Sequence, residues 1–194
     1  MRNLAKRVLA ATAFVALTVS AFAKPPVPRK SPEFAITDPS GKQILLSSFK
    51  GKVVVMPLMF TTCPHCQNEA KMLTKLQKEF AGRPLQVLGT AFNDEANGPV
   101  VAQFIKEFNV GFPVGYTKRD SVISYLGLSV MDRWVVPQVA VIDKKGNIVA
   151  QSDAMGTPAL QDENYMRTLI DKLLKEGATT SSTAPAKKTV AKAD

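Results

Sequence analysis

Val53-Val54-Val55-Met56-Pro57-Leu58-Met59-Phe60-Thr61-Thr62-Cys63-Pro64-His65-Cys66 is the stretch on which the fold turns. Its first seven residues form a continuous apolar run, the mark of a strand buried on both faces. Pro64 suits the first position of a helix, where its missing N–H is no loss, so Cys63 becomes the cap. The helix is predicted to run to about Phe80, with Met72, Leu73, Leu76 and Phe80 on one face and Lys71, Lys75 and Lys78 elsewhere. A sulfur at that cap lies near unpaired backbone N–H groups and the positive end of the helix dipole, which favours thiolate over thiol. Cysteines so placed have pKa values of about 3.5 to 7.5 against roughly 8.5 for a free thiol, so Cys63 is expected to be a ready nucleophile. Cys66 lies one turn further and more buried, placed to attack the sulfur that Cys63 has joined to a substrate.

Working outward, Phe34 to Ile36 and Gln43 to Leu46 flank the turn Asp38-Pro39-Ser40-Gly41, which predicts a β-hairpin. Pro25, Pro26, Pro28 and Pro32 make an extended lead-in. Leu85 to Phe92 reads as the next buried strand, Pro99 to Phe108 as a helix, and Ser121 to Leu126 as a short second one. Val139 to Ile142 and Ile148 to Gln151 are predicted strands around Lys144-Lys145-Gly146-Asn147. Asp162 to Lys175 closes the body as an amphipathic helix built on Tyr165, Met166, Leu169, Ile170, Leu173 and Leu174. Strands alternating with helices imply an α/β fold with one sheet covered on both faces.

The termini read differently. Residues 1–23 have the form of an export signal, with Arg2, Lys6 and Arg7 ahead of an apolar stretch that ends at Ala21-Phe22-Ala23. The 16 residues from Val8 to Ala23 fall short of the roughly 20 needed for a span, and include Thr12, Thr18 and Ser20. An uncleaved membrane anchor is the alternative, and the lack of a cysteine near the cleavage site argues against a lipid anchor. Residues 177–194 are Ala, Thr, Ser and Lys with nothing apolar that repeats, a composition expected of a flexible tail. Residues 24–176 form the predicted domain. The formal charge of +9 is inflated by both ends, and the body lacks an Arg/Lys stripe interleaved with aromatics, so nucleic acid is not an expected partner.

Two cysteines and one histidine exclude a four-ligand structural zinc site and a disulfide-dense scaffold. A purely structural bridge is disfavoured because so short a loop gives little entropic benefit. Covalent haem attachment needs His directly after the second Cys, where Gln67 stands. Copper chaperones of the SCO type share the look of Phe60-Thr61 before Cys-Pro, but space their cysteines one residue wider and add a distant His. A thiol peroxidase of the peroxiredoxin kind is expected to carry Thr three residues before its reactive Cys, and Phe60 is there.

From about Ser31 to Lys175 the chain resembles the thioredoxin superfamily, and within it the exported TlpA/ResA-like thiol-disulfide oxidoreductases, a redoxin or AhpC/TSA-like domain. The likeness is carried by Pro32-x-Phe34, by Leu46-x-x-Phe49-Lys50-Gly51-Lys52 and by Cys63-Pro64-His65-Cys66-x-x-Glu69. It continues in Gly111-Phe112-Pro113-Val114, in Val135-Val136-Pro137 and in Val141-Ile142-Asp143-Lys144-Lys145-Gly146. It implies a three-layer α/β/α sandwich with a central mixed sheet and an N-terminal β-hairpin.

The same resemblance implies roles. Pro137 looks like the cis-proline that faces the Cys pair, with Val136, Pro64 and Thr62 touching substrate and His65 favouring the Cys63 thiolate. Thr62 replaces the usual aromatic, and Pro57 occupies a strand position that often holds a buried acid or amide. Asp94 or Glu95 could then be the proton acceptor for Cys66 instead. Glu69 is explained as well by stabilising the helix start as by catalysis, and Trp134 either packs beside the Pro137 loop or belongs to the core. The implied partners are exported client proteins with a disulfide or dithiol, such as an apocytochrome, and a membrane thiol-disulfide partner that resets the redox state. No metal or organic cofactor is implied, and a periplasmic monomer is expected. Pro64-His65 is the dipeptide of DsbA-like oxidants whereas TlpA-like proteins are mostly reductants, so the direction of electron flow stays open.

Overall fold

The computed structural model describes residues 25–176. The expected export signal and flexible tail lie outside the described residues. Nine strands and four helices follow one another as β1 (Arg29–Lys30), β2 (Ala35–Thr37), β3 (Gln43–Leu45), β4 (Val53–Met59), α1 (Pro64–Glu79), β5 (Leu85–Val87), β6 (Gly89–Ala91), α2 (Gly98–Glu107), β7 (Val114–Tyr116), α3 (Arg119–Leu126), β8 (Gln138–Ile142), β9 (Asn147–Gln151) and α4 (Glu163–Lys175). All strands join one mixed sheet in the order β1-β9-β8-β4-β6-β7-β2-β3, with β5 also paired to β4.

Every residue of β4 is buried, as its unbroken apolar run predicts. Alternation along the strand divides its side chains between two cores. Val53, Val55 and Met59 pack with α1, α2 and α4, through residues such as Leu73, Leu76, Phe104, Met166 and Ile170. Val54, Met56 and Leu58 pack with Val122, Tyr125 and Leu126 of α3 and with Phe34 and Ile36 of the hairpin side. This is the α/β/α sandwich with a central mixed sheet and an N-terminal β2–β3 hairpin, in which Ile36 stands opposite Ile44.

Three elements differ from the sequence expectation. Leu85 to Phe92 is not one strand: β5 pairs with Val53 to Val55, β6 pairs with Leu58 and Met59, and the ladder breaks between them. Pro57 supplies the reason. The Val53 N–H donates to Pro84 O and Val55 O accepts from the Leu88 N–H, so odd-numbered residues of β4 address this neighbour. Pro57, next in that series, has no N–H to give. Second, β7 has no counterpart in the sequence reading, because Val-Gly-Tyr lacks a strand's usual run. Gly115 is needed there: a Cβ would stand 2.7 Å from Thr37 O, where β2 pairs with β7. Third, Tyr165 leaves the expected apolar stripe of α4 and is 46% exposed, while Met166, Ile170, Leu173 and Leu174 are buried.

Candidate active site

Where β4 ends, the chain turns through Thr61 and Thr62 into α1, and Cys63 is the N-cap of that helix with Pro64 in its first turn. The Cys63 N–H donates to Phe60 O at 3.2 Å, and Cys63 O accepts from the Gln67 N–H at 3.0 Å. Its sulfur accepts from the Cys66 N–H at 3.4 Å. The first cysteine therefore satisfies one of the donors that a helix start leaves without a partner, and it sits at the positive end of the helix dipole. Cys63 is half-buried, Thr62, Pro64 and His65 are exposed, and Cys66 is fully buried. Burial pushes the Cys66 thiol far up, and the neighbouring Cys63 sulfur and Glu69 carboxyl push it the same way. The two thiols are thus unequal: one is reachable and capped, the other is enclosed and strongly disfavoured as an anion.

The loop before β8 closes over the pair. The Val136–Pro137 peptide is cis, and Val136 O lies 3.9 Å from the Cys63 sulfur although 73 residues separate them in sequence. Pro137 is buried and Val136 half-buried. The side-chain amide of Gln138 donates to Val135 O at 2.7 Å and to Ala154 O at 3.2 Å, which ties this loop to the segment after β9.

The expected acids lie in three settings. Asp94 is exposed. Glu95 is exposed too, and accepts from the Asn93 side-chain amide at 3.2 Å, a bond that holds its carboxyl below the ordinary range. Asn93 in turn accepts from the Thr61 N–H at 3.1 Å, so Glu95 reaches the active-site loop through Asn93. Glu69 is the residue that the sequence reading undervalued. It lies beyond the first turn of α1, it is only 5% exposed, and neither carboxyl oxygen has a hydrogen-bond partner. Such a carboxyl does not stabilise a helix start. Burial raises it to about 8. The signal was its spacing: three residues after Cys66 puts it on the same buried stripe, one turn on.

Trp134 stacks on Phe92 with ring centroids 5.5 Å apart, Phe92 meets the edge of Phe60 at 4.8 Å, and the Arg119 guanidinium lies 4.7 Å from the Trp134 ring. Phe92 therefore lies between Trp134 and Phe60, the residue whose carbonyl holds Cys63. No group of three or more His, Cys, Asp or Glu side chains that could hold a metal ion occurs among the described residues.

A mixed sheet between helices, with a Cys-x-x-Cys helix cap facing a cis-proline loop, defines a protein of thioredoxin-like fold. The chain belongs to the AhpC/TSA family, whose model matches residues 27–151. It is 27% identical over 141 residues to the thiol-disulfide oxidoreductase ResA of Bacillus anthracis, covering 73% of this chain and 77% of that protein. With the thioredoxin-like protein YneN of Bacillus subtilis it shares 28% identity over 129 residues, 66% of this chain and 71% of the relative. Among solved structures, a thiol:disulfide interchange protein of the thioredoxin family from Chlorobium tepidum superposes with a TM-score of 0.63 at 23% identity. That match covers 77% of this chain and 99% of the other, a likeness of fold.

Proposed function

We propose that the protein is a thiol-disulfide oxidoreductase that exchanges disulfides with exported client proteins through Cys63 and Cys66. The observation that carries this reading is the inequality of the two sulfurs: a half-exposed Cys63 at the mouth of α1 and an enclosed Cys66 that donates its N–H to it. In the reducing direction the Cys63 thiolate attacks one sulfur of a client disulfide, and the other client sulfur leaves and takes up a proton. A mixed disulfide remains. Cys66 then gives its proton to the Glu69 carboxylate and attacks the Cys63 sulfur, which releases the second client sulfur as a thiolate that takes a proton from solvent and leaves a Cys63–Cys66 disulfide. The oxidising direction is the same sequence reversed. Val136 and Pro137 present backbone to the client, with Thr62, Pro64 and His65 on the exposed rim. Asp94 and Glu95, exposed on the loop after β6, are not needed as acceptors, since Glu69 shares α1 with Cys66 and is buried one turn on.

The leader read at residues 1–23 supports a periplasmic location. A membrane thiol-disulfide partner would reset the couple, a monomer suffices for the chemistry, and cytochrome c maturation is one process that supplies such clients. The step needs no cofactor.

The test is trapping. Cys66→Ser is expected to accumulate mixed disulfides with exported proteins, seen as reductant-sensitive bands, whereas Cys63→Ser traps none. A Cys66→Ser protein that stays alkylatable at Cys63 yet captures no client, and consumes hydrogen peroxide instead, would move the chain to the thiol peroxidases. Stoichiometric copper(I) binding lost in Cys63→Ser, with no trapping, would move it to the copper chaperones. The reduction potential of the couple sets the direction, near about −270 mV for a reductant and near about −120 mV for an oxidant.

A further inference from the structure

At the other end of β4 from the cysteines, a hollow of about 430 Å³ opens between the end of the hairpin and the β8–β9 turn. Its floor is apolar, formed by Leu46, Phe49, Val54 and Ile142, and five lysines surround it: Lys30, Lys50, Lys52, Lys144 and Lys145. Two carboxylates share the wall, Glu33 and Asp143, and both serve the backbone beside them. Glu33 accepts from the N–H groups of Phe34 and Ser47 at 3.0 and 3.1 Å. Asp143 accepts from those of Lys145 and Asn147 at 2.9 and 2.8 Å.

The carboxylates offset part of the lysine charge, with Lys50 attracting Glu33, and leave five positive charges against two around the hollow. Lys30 donates to Lys145 O at 2.8 Å, and Lys144 donates to Leu174 O at 2.6 Å and Glu176 O at 3.0 Å, all uncharged acceptors. Lys52 lies 5.8 Å from the Phe49 ring centroid. None of the five belongs to an ion pair among the described residues. Like charges gathered around one hollow repel, and an anion is what relieves them. Glu176, the last described residue, gives its carbonyl to Lys144 on the wall of this hollow.

We propose that this basic end docks on an anionic phospholipid bilayer, with headgroup phosphates among the five lysines that rim the hollow. Clusters of four to eight basic side chains are of the size that binds such surfaces. Cys63 then lies about 20 Å away along β4, on the far side from the lipid, open to clients while the protein is held at the membrane.

The protein purified after export is sedimented with vesicles of about 30% phosphatidylglycerol in phosphatidylcholine, or of phosphatidylcholine alone. Partitioning is expected to be about tenfold stronger with the anionic lipid and to fall as salt rises. Lys50→Glu with Lys52→Glu and Lys145→Glu should lower it by about tenfold or more, and Lys42→Glu with Lys106→Glu and Lys118→Glu, equal in charge but scattered, by less than about threefold. Should the first triple variant not fold, Lys50→Gln with Lys145→Gln should still weaken partitioning severalfold. Disulfide exchange with a soluble client is expected to be unchanged in these variants, so failure here is distinct from failure of the redox reading. Equal partitioning into both vesicles, an equal loss in the scattered control, displacement by inorganic phosphate at fixed ionic strength, or tighter binding to duplex DNA would each overturn the proposal.

Discussion

The Glu69 carboxyl is enclosed among apolar side chains without a donor to either oxygen, and its pKa of about 8 has stability consequences. Between its ordinary 4.5 and about 8 the folded protein keeps a proton that the unfolded chain has released. Stability therefore falls as pH rises through that window, by up to about 1.4 kcal/mol per pH unit, and Glu69→Gln should flatten the slope. Urea denaturation at several pH values reads this directly, and equal slopes in the two proteins would mean that Glu69 is solvated. The same titration governs chemistry. Only the carboxylate can take the Cys66 proton, so release of a preformed Cys63 mixed disulfide should accelerate as pH rises through about 8, and Glu69→Gln should lose that dependence. Stopped-flow release of a labelled peptide thiol checks it; an unchanged profile in the variant would assign the proton to another group.

At the scale of elements, the pairing of β2 beside β7 depends on the lack of a side chain at Gly115. An alanine Cβ there would lie 2.7 Å from Thr37 O and 2.8 Å from the Ile36 side chain, backbone on one side and core on the other. Gly115→Ala is expected to cost about 1–3 kcal/mol and to expose the Thr37–Tyr116 pairing to hydrogen exchange. A cost below about 0.5 kcal/mol would show that the hairpin yields freely. Helix α1 and strand β4 were legible from periodicity because burial pattern and local preference agree along both. The interruption at Leu88 was not, since it arises from a proline on the neighbouring strand, and β7 was not, since its central residue is chosen by what pairs beside it.

For the whole molecule, the two cores meet at the same strands. Alternate residues of β4 and of β8 feed one and then the other: Val139 and Val141 face α1 and α4, while Ala140 and Ile142 face α3. Neither core can open while the shared strands hold. Trp134 is the one tryptophan and packs against the second core through Phe92. Its fluorescence and the far-UV circular dichroism are expected to report a single coincident unfolding transition. Separate midpoints would mean that the hairpin and α3 side unfolds on its own.

Residues 53–66 by themselves determined the buried strand, the capped helix and the cysteine spacing, because each follows from covalent geometry and side-chain alternation over a few neighbouring residues. Only the tertiary structure decided what surrounds those sulfurs. Val136 O comes to 3.9 Å from Cys63 across 73 residues, Glu69 loses every partner, and five lysines from three stretches of chain encircle one hollow. Such juxtapositions depend on strand order and crossing, which are set by the packing of the whole sheet and leave no periodic mark along the chain.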